Sequence, residues 1–330
     1  MRTPPDDFSE AELVCMLGAA WWFHAAKLTY APVGFGSHHW VATDPGGDRR
    51  FVTADQLDQA NPDGRLARLR AAMGAACQLQ ERAGLGFVVA PLRAADGSAA
   101  PVLHTGGQRW AVTVFPLVPG DPLPDDLAAS DRAAVTELVA RLHNATPQVE
   151  GVVRDDLAIQ DRAEFEAVLP RLREPWSTGP YAETARELLS HNHAELRALL
   201  AAYDQMVAAV CDRGVGWVLT HGEPKADNVL RTEAGLRLVD WETARLAPAA
   251  RDLWLLDSGG AELARYAELT GRDVAPDEVK LFQLRWELSD IASFTRWLAG
   301  LHARTPDTEI AFRSLSGYLR DLKQRWAELL

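Results

Sequence analysis

The chain has 330 residues, 47% of them hydrophobic, which is enough for one large or two medium domains with their own cores. Its formal net charge of −12 argues against nucleic acid as the main ligand and is compatible with a cationic partner. The sequence has no uncharged apolar stretch of about 18 residues, and Asp6 and Asp7 stand where a signal peptide would be basic. We therefore predict a soluble, cytoplasmic protein without a membrane partner. Three scattered cysteines suggest neither a disulfide framework nor a metal site.

The N-terminal part of the chain is predicted to be rich in β-structure. Helical spacing of apolar residues predicts helices over 9–28, with Ser9 as the N-cap, and over 65–83. β-branched and aromatic runs bounded by turn residues predict strands elsewhere. They form a strand, a glycine loop and a strand within 30–43, and single strands at 49–54, 87–92 and 110–115.

Beyond a Pro/Gly-rich segment at 116–124, the chain becomes mainly helical. Apolar periodicity near 3.6 predicts helices at 128–145, 161–172, 181–212, 260–269, 276–301 and 310–329, and one β-like patch interrupts them at 217–240. This order predicts an α+β fold with two lobes. The small β-rich N-lobe would comprise residues 1–117 and the larger helical C-lobe residues 118–330, with the active site in the cleft between them.

The β-like patch carries the residues with the clearest chemistry. An apolar strand leads into a polar loop that contains Glu223, Lys225 and Asn228, and two further strands end at Asp240. Asn228 follows Glu223 by five residues, and Asp240 follows Asn228 by twelve. Phosphoryl transfer needs such a set, because a carboxylate must orient the acceptor hydroxyl and oxygen ligands must hold Mg²⁺ on the phosphates.

This constellation resembles the catalytic loop and metal-binding aspartate of kinases. Glycine after His221 and tryptophan after Asp240 are characteristic of the aminoglycoside phosphotransferase family, which shares the protein kinase fold. The resemblance extends over most of the chain in order, from a glycine loop through a hinge at 115–117 to the catalytic loop. It also includes Asp252, which matches the aspartate that supports the catalytic loop from behind.

The resemblance implies a role for each matching residue. Glu223 would be the base that orients the acceptor, Asn228 and Asp240 would ligate Mg²⁺, and His221 would support the loop. ATP or GTP would be the phosphate donor. The nucleotide would meet the backbone of the glycine loop and the hinge, which gives as candidate contacts Gly34, Gly36, Ser37, His38, Phe115 and Leu117.

Two positions depart from the family pattern. Glu223 stands where the family has aspartate, so the carboxylate reaches one methylene further. The family also pairs a phosphate-binding lysine on the third strand with a glutamate on the following helix. Here Thr53 takes the lysine position, and no acid occurs between Asp63 and Glu81. The chain has only four lysines, and Lys225 is predicted to supply the missing positive charge, as a lysine does in this loop of Ser/Thr protein kinases.

By resemblance, the acceptor would be a hydroxyl group of a small molecule. An aminoglycoside, aminocyclitol or nucleoside antibiotic is the leading expectation, and the enzyme would confer resistance to it. A metabolite kinase with a sugar, choline or homoserine type of acceptor is the alternative within the same chemistry. Glu223 and the absent lysine motivate a third hypothesis, a pseudokinase-like module that binds nucleotide with little transfer.

Overall fold

The computed structural model describes residues 1–34, 36–57, 62–214 and 216–330. Phe35, in the predicted glycine loop, lies outside the described residues. Within these ranges the α-helices are α1 (Glu10–Trp21), α2 (Pro62–Glu81), α3 (Ala129–Asn144), α4 (Arg162–Val168), α5 (Ala182–His191), α6 (His193–Asp212), α7 (Ala250–Leu253), α8 (Ala261–Thr270), α9 (Pro276–Ala299), α10 (Pro306–Arg320) and α11 (Leu322–Arg325). The strands are β1 (Lys27–Tyr30), β2 (His38–Thr43), β3 (Arg49–Gln56), β4 (Val102–Thr105), β5 (Gln108–Pro116), β6 (Asp121–Pro122), β7 (Val218–Thr220), β8 (Val229–Thr232), β9 (Gly235–Leu238) and β10 (Arg245–Ala247).

The chain forms two compact units, one of residues 1–154 and 217–274 and the other of residues 155–216 and 275–330. The first unit contains an antiparallel sheet in the order β1-β2-β3-β5-β4. It also contains two small sheets, β6-β8-β9 and β10-β7. Every residue that the sequence assigns to the site belongs to this first unit.

Strand β3 lies in the middle of the large sheet, between β2 and β5. Val52 and Ala54 are fully buried in one core cluster, which also includes Leu13 and Leu17 of α1. Side chains alternate along a strand, so Thr53 and Asp55 lie on the opposite face of β3. Both are buried as well, although they are polar. A strand with polar side chains on a buried face is unusual, and this face is therefore a candidate for a functional role.

The second unit is helical. Its central element is α9, a 24-residue helix that packs against α4, α5, α6 and α10. Leu281, Leu284, Leu288 and Ile291 recur on α9 at helical spacing and are buried. None of the described helices is both long and apolar enough to cross a membrane.

The α+β fold, with a β-rich N-terminal part and a mainly helical remainder, is confirmed. The strand predicted at 87–92 is wrong: Val88 forms only an isolated bridge to Leu238, and Pro91 has no N–H to donate to a ladder. Strand β4 was not predicted, because its four residues alternate only weakly and follow an alanine-rich segment.

The helix predicted over 181–212 is in fact two helices, α5 and α6. Asn192 separates them with φ −100° and ψ 12°, values outside the helical region. Its side chain donates to the carbonyl oxygen of Leu188, so a local side-chain hydrogen bond competes with the helix there. The apolar period continues through both helices, and the sequence pattern therefore does not reveal the break.

Candidate active site

The polar loop after β7 is held by a buried histidine. His221 is fully buried, and its Nε2–H donates to the carbonyl oxygen of Val239 over 2.8 Å. The backbone N–H of Glu223 donates to Nδ1 of the same ring over 3.2 Å. These two partners define the neutral Nε2–H tautomer. Burial also lowers the pKa of His221, so the ring is a neutral structural support at physiological pH.

A second buried group, the carboxylate of Asp252 in α7, supports the loop from behind. Its Oδ1 accepts from the N–H of Gly222 over 2.6 Å. Its Oδ2 accepts from the N–H of His221 over 2.9 Å and from Nε2 of His143 over 3.0 Å. Burial alone would raise the pKa of Asp252, but the hydrogen bond and charge of His143 and the charge of Arg251 outweigh it and lower that pKa. Asp252 thus lies behind the loop and accepts hydrogen bonds from its backbone, as the resemblance implies.

Gly222 makes this close approach possible. Its φ is 100°, a conformation that residues with a Cβ rarely adopt. A Cβ on Gly222 would also collide with the guanidinium of Arg251. That guanidinium is fixed by the Thr220 hydroxyl and the Thr243 carbonyl, each at 2.9 Å. The glycine after the histidine is therefore required by the geometry of the loop.

The loop brings the three predicted catalytic residues together. Nζ of Lys225 lies 3.5 Å from Oε2 of Glu223, and both side chains are partly exposed. Nδ2 of Asn228 donates to the carbonyl oxygen of Glu223 over 3.0 Å. The amide atom of Asn228 that could coordinate a cation is thus Oδ1. The side chain of Asn228 also anchors the loop on which Glu223 is displayed.

Asp240 follows β9 in a left-handed backbone conformation, with φ 65°. The next residue, Trp241, is fully buried and packs its ring edge-on against His221 at 4.7 Å between centroids. Anchoring Trp241 in the core leaves Asp240 at the surface beside the loop. Although the side chain of Asp240 is reached by solvent, the protein packed around it partly desolvates the carboxylate, and together with the negative charges of Glu223 and Asp55 this raises the pKa of Asp240 to about 7. Electrostatically, this is a place where a cation is favoured.

The chemistry of these donors suits Mg²⁺. In kinase sites Mg²⁺ takes oxygen ligands from one or two carboxylates together with substrate phosphates and water. The carboxylate of Asp240 and Oδ1 of Asn228 are hard oxygen donors of this kind. Over the described ranges, no group of three or more His, Cys, Asp or Glu side chains is arranged to hold a metal ion.

The predicted glycine loop joins β1 to β2. Gly34 and Gly36 both have positive φ, 66° and 103°, and a Cβ at Gly36 would meet nothing within 4 Å. Ser37 is buried and points its hydroxyl at two carboxylates described below. The ring of His38 contacts the Tyr30 hydroxyl at 3.0 Å and the edge of Trp110. Its imidazole is thus engaged with aromatic side chains of the sheet.

The two hinge residues lie at the end of β5. Phe115 is buried and pairs in register with Phe51 of β3, while Leu117 is half-buried in the segment between β5 and β6. The contacts that the resemblance assigns to Phe115 and Leu117 stay predictions.

Sequence reasoning missed an ion pair on the polar face of β3. Thr53, at the expected lysine position, meets Nδ1 of His39 at 3.2 Å. Two residues later Asp55 is 2% exposed, and its Oδ1 lies 3.9 Å from Nη2 of Arg65 on α2. Ser37 donates to the same Oδ1 over 2.5 Å. The available signal was the two-residue alternation that puts Asp55 on the same face of β3 as Thr53.

Comparison with known proteins identifies the family of the chain. Residues 31–282 match the phosphotransferase enzyme family. The protein StrN of Streptomyces griseus is 32% identical over 254 residues, covering 73% of this chain and 74% of StrN.

Two solved structures show the same fold at low sequence identity. A spectinomycin phosphotransferase, in complex with ADP and spectinomycin, superposes with a TM-score of 0.72 at 13% identity, covering 99% of this chain and 100% of that one. A microcompartment-associated aminopropanol kinase superposes with a TM-score of 0.61 at 14% identity, covering 98% and 100%. The kinase-like fold predicted from the sequence is thereby confirmed.

Proposed function

The chain belongs to the phosphotransferase enzyme family and is a small-molecule kinase with an alcohol group as acceptor; we propose that its acceptor is an antibiotic. The phosphate donor would be ATP or GTP, used with Mg²⁺. The antibiotic would be of the aminoglycoside, aminocyclitol or nucleoside type, and its phosphorylation would confer resistance. The reaction would take place in the cytoplasm, where nucleoside triphosphates are available.

The observation that carries the proposed transfer reaction is the loop that displays Glu223, which buried side chains hold in place. His221 and Asp252 fix the backbone on both sides of Gly222, so the Glu223 carboxylate is held beside Lys225 and Asn228. In the proposed step, the acceptor oxygen bonds to the γ-phosphorus while the bond to the bridging oxygen breaks. The hydroxyl proton passes to the Glu223 carboxylate, and the nucleoside diphosphate leaves.

The remaining predicted residues are assigned to the nucleotide. Residues 1–117 would bind it, with the backbone around Gly34 and Gly36 at the phosphates, and residues 118–330 would carry the catalytic loop and the acceptor. Asn228 and Asp240 would hold Mg²⁺, which would neutralise charge on the phosphates when bound. Lys225 would meet the γ-phosphate, which agrees with its position 3.5 Å from the Glu223 carboxylate.

The test is nucleotide turnover by wild type, Glu223→Gln and the matched variant Glu233→Gln, in which the changed side chain is exposed in the β8–β9 turn. Glu223→Gln should keep nucleotide affinity and lower kcat by about 10²–10⁴-fold. Glu233→Gln should behave as wild type. Equal activity of wild type and Glu223→Gln would show that this carboxylate is not the base.

An acceptor panel separates the functional hypotheses. Aminoglycosides, aminocyclitols and nucleoside antibiotics test the leading proposal. Amino alcohols, choline, sugars and homoserine test a metabolite kinase, which the shared fold of an aminopropanol kinase makes the second candidate. Nucleotide binding without transfer to any acceptor would favour a binding module instead.

A further inference from the structure

The ion pair between β3 and α2 suggests a second phosphate-binding residue. Asp55 on β3 is buried, whereas the side chain of its partner, Arg65, is 44% exposed. Arg65 lies in the first turn of α2, where the helix dipole also favours an anion. The strand thus carries the acid and the helix carries the base, with the basic group at the surface.

The pair lies beside residues already assigned to the nucleotide. Ser37, which follows Gly36, donates to Asp55 over 2.5 Å, and its hydroxyl lies 3.4 Å from Oε2 of Glu242. Glu242 is two residues beyond Asp240. Ser37 therefore links the carboxylate that faces Arg65 to the segment that carries the proposed metal ligand.

The geometry of the pair differs from that of a purely structural salt bridge. Arginine and a buried carboxylate normally form short, charge-assisted hydrogen bonds of about 2.7–2.9 Å, often two in parallel. Arg65 approaches Asp55 only to 3.9 Å. Asp55 holds the guanidinium near the site without occupying its donors with short hydrogen bonds.

We propose that Arg65 binds the phosphates that remain on the nucleoside diphosphate, and that Asp55 is its positioning residue. A guanidinium presents several N–H donors in a plane that matches two phosphate oxygens. Its role would differ from that of Lys225, which we assign to the transferred γ-phosphate. The inference rests on the proposed function, since it assumes a nucleotide at this site.

The experiment measures nucleotide affinity directly, without an acceptor. Isothermal titration with Mg-ADP and with adenosine is carried out on wild type, Arg65→Ala and a matched control. The control, Arg68→Ala, removes an exposed arginine from the same helix. Arg65→Ala should raise the Kd for Mg-ADP by about 10- to 100-fold, the value of one charge-assisted contact, and leave adenosine binding unchanged. Arg68→Ala should bind Mg-ADP as wild type does.

A cycle with Asp55→Asn tests the positioning role. Asp55→Asn should weaken Mg-ADP binding, and the double variant should be no weaker than Arg65→Ala alone, because both changes act through one contact. Arg65→Gln is the substitute if Arg65→Ala loses its fold by circular dichroism. An unchanged Kd for Mg-ADP in folded Arg65→Ala or Arg65→Gln, or an equal loss for adenosine, would overturn the inference. If wild type itself bound no nucleotide, the proposed function would fall instead.

Discussion

Replacing Asp252 with asparagine should destabilise the fold, because the carboxylate accepts from three N–H donors in a fully buried place. An asparagine offers one oxygen and one NH₂ group, so at least one donor would face another donor in either amide orientation. Loss of one hydrogen bond to a charged group costs about 1.5–3 kcal/mol, and a buried N–H left unpaired adds about 1–3 kcal/mol. We therefore expect about 3–5 kcal/mol, the range for breaking a buried charged pair.

Urea unfolding followed by circular dichroism measures this loss, and nucleotide turnover measures its effect on the loop. Asp126→Asn makes the same chemical change at an exposed carboxylate and is the control. The midpoint for Asp252→Asn should fall at an unchanged m value, because the surface exposed on unfolding stays the same. Turnover under native conditions should fall too, since Gly222 and His221 lose their support. A loss below about 1 kcal/mol with wild-type turnover would refute the argument that Asp252 braces the loop.

Three further predictions concern the loop and the metal ligands. Lys225→Ala should lower kcat/KM for ATP by the equivalent of about 2–4 kcal/mol. Arg49→Ala, which removes an exposed arginine at the start of β3, should change kcat/KM little. Unchanged kinetics in Lys225→Ala would show that this lysine has no part in the mechanism. Gly222→Ala should lower the free energy of unfolding by at least about 1–3 kcal/mol, the cost of its φ of 100°, and a wild-type melting curve would contradict this. Asp240 holds its proton more tightly in the folded protein than in the unfolded chain, because its pKa is raised from 3.8 to about 7. The metal-free protein should therefore lose stability relative to Asp240→Asn as pH rises from 4 to 8, and Mg²⁺ should offset this loss only in wild type. Stability curves of the two proteins that run parallel over this pH range would contradict the prediction.

The fold could be predicted where one local rule dominates. The Ser9 side chain caps α1 as expected, and the turn at 44–48 joins β2 to β3. The exceptions are places where tertiary contacts decide. The segment 87–92 has the composition of a strand, but its backbone forms no ladder: among the described residues it shares backbone hydrogen bonds with other strands only at Leu238 and Val114. No property of this segment's own sequence indicates that it lacks a neighbouring strand to pair with along its length.

The catalytic loop was predictable because its residues lie close together in sequence and their roles depend on spacing. His221, Glu223 and Asn228 occupy one turn-rich segment, and Asp240 follows a two-strand hairpin. The partners of β3 were not predictable in this way. Asp55 accepts a hydrogen bond from Ser37, which lies 18 residues earlier in the chain. The same Ser37 hydroxyl also lies near Glu242, which comes 205 residues after Ser37. Such contacts appear only when the sheet and the catalytic segment are brought together in the fold.

The charges around Asp240 explain why a missing lysine can be tolerated. The charges of four carboxyl groups act on one another here, those of Asp55, Glu223, Asp240 and Glu242, and Lys225 and Arg65 are cations that act on them. An anionic triphosphate would be repelled by this cluster unless cations accompany it. A guanidinium anchored at the edge of the cluster, together with a metal ion at Asp240, would leave the carboxylates paired and still present positive charge to the phosphates.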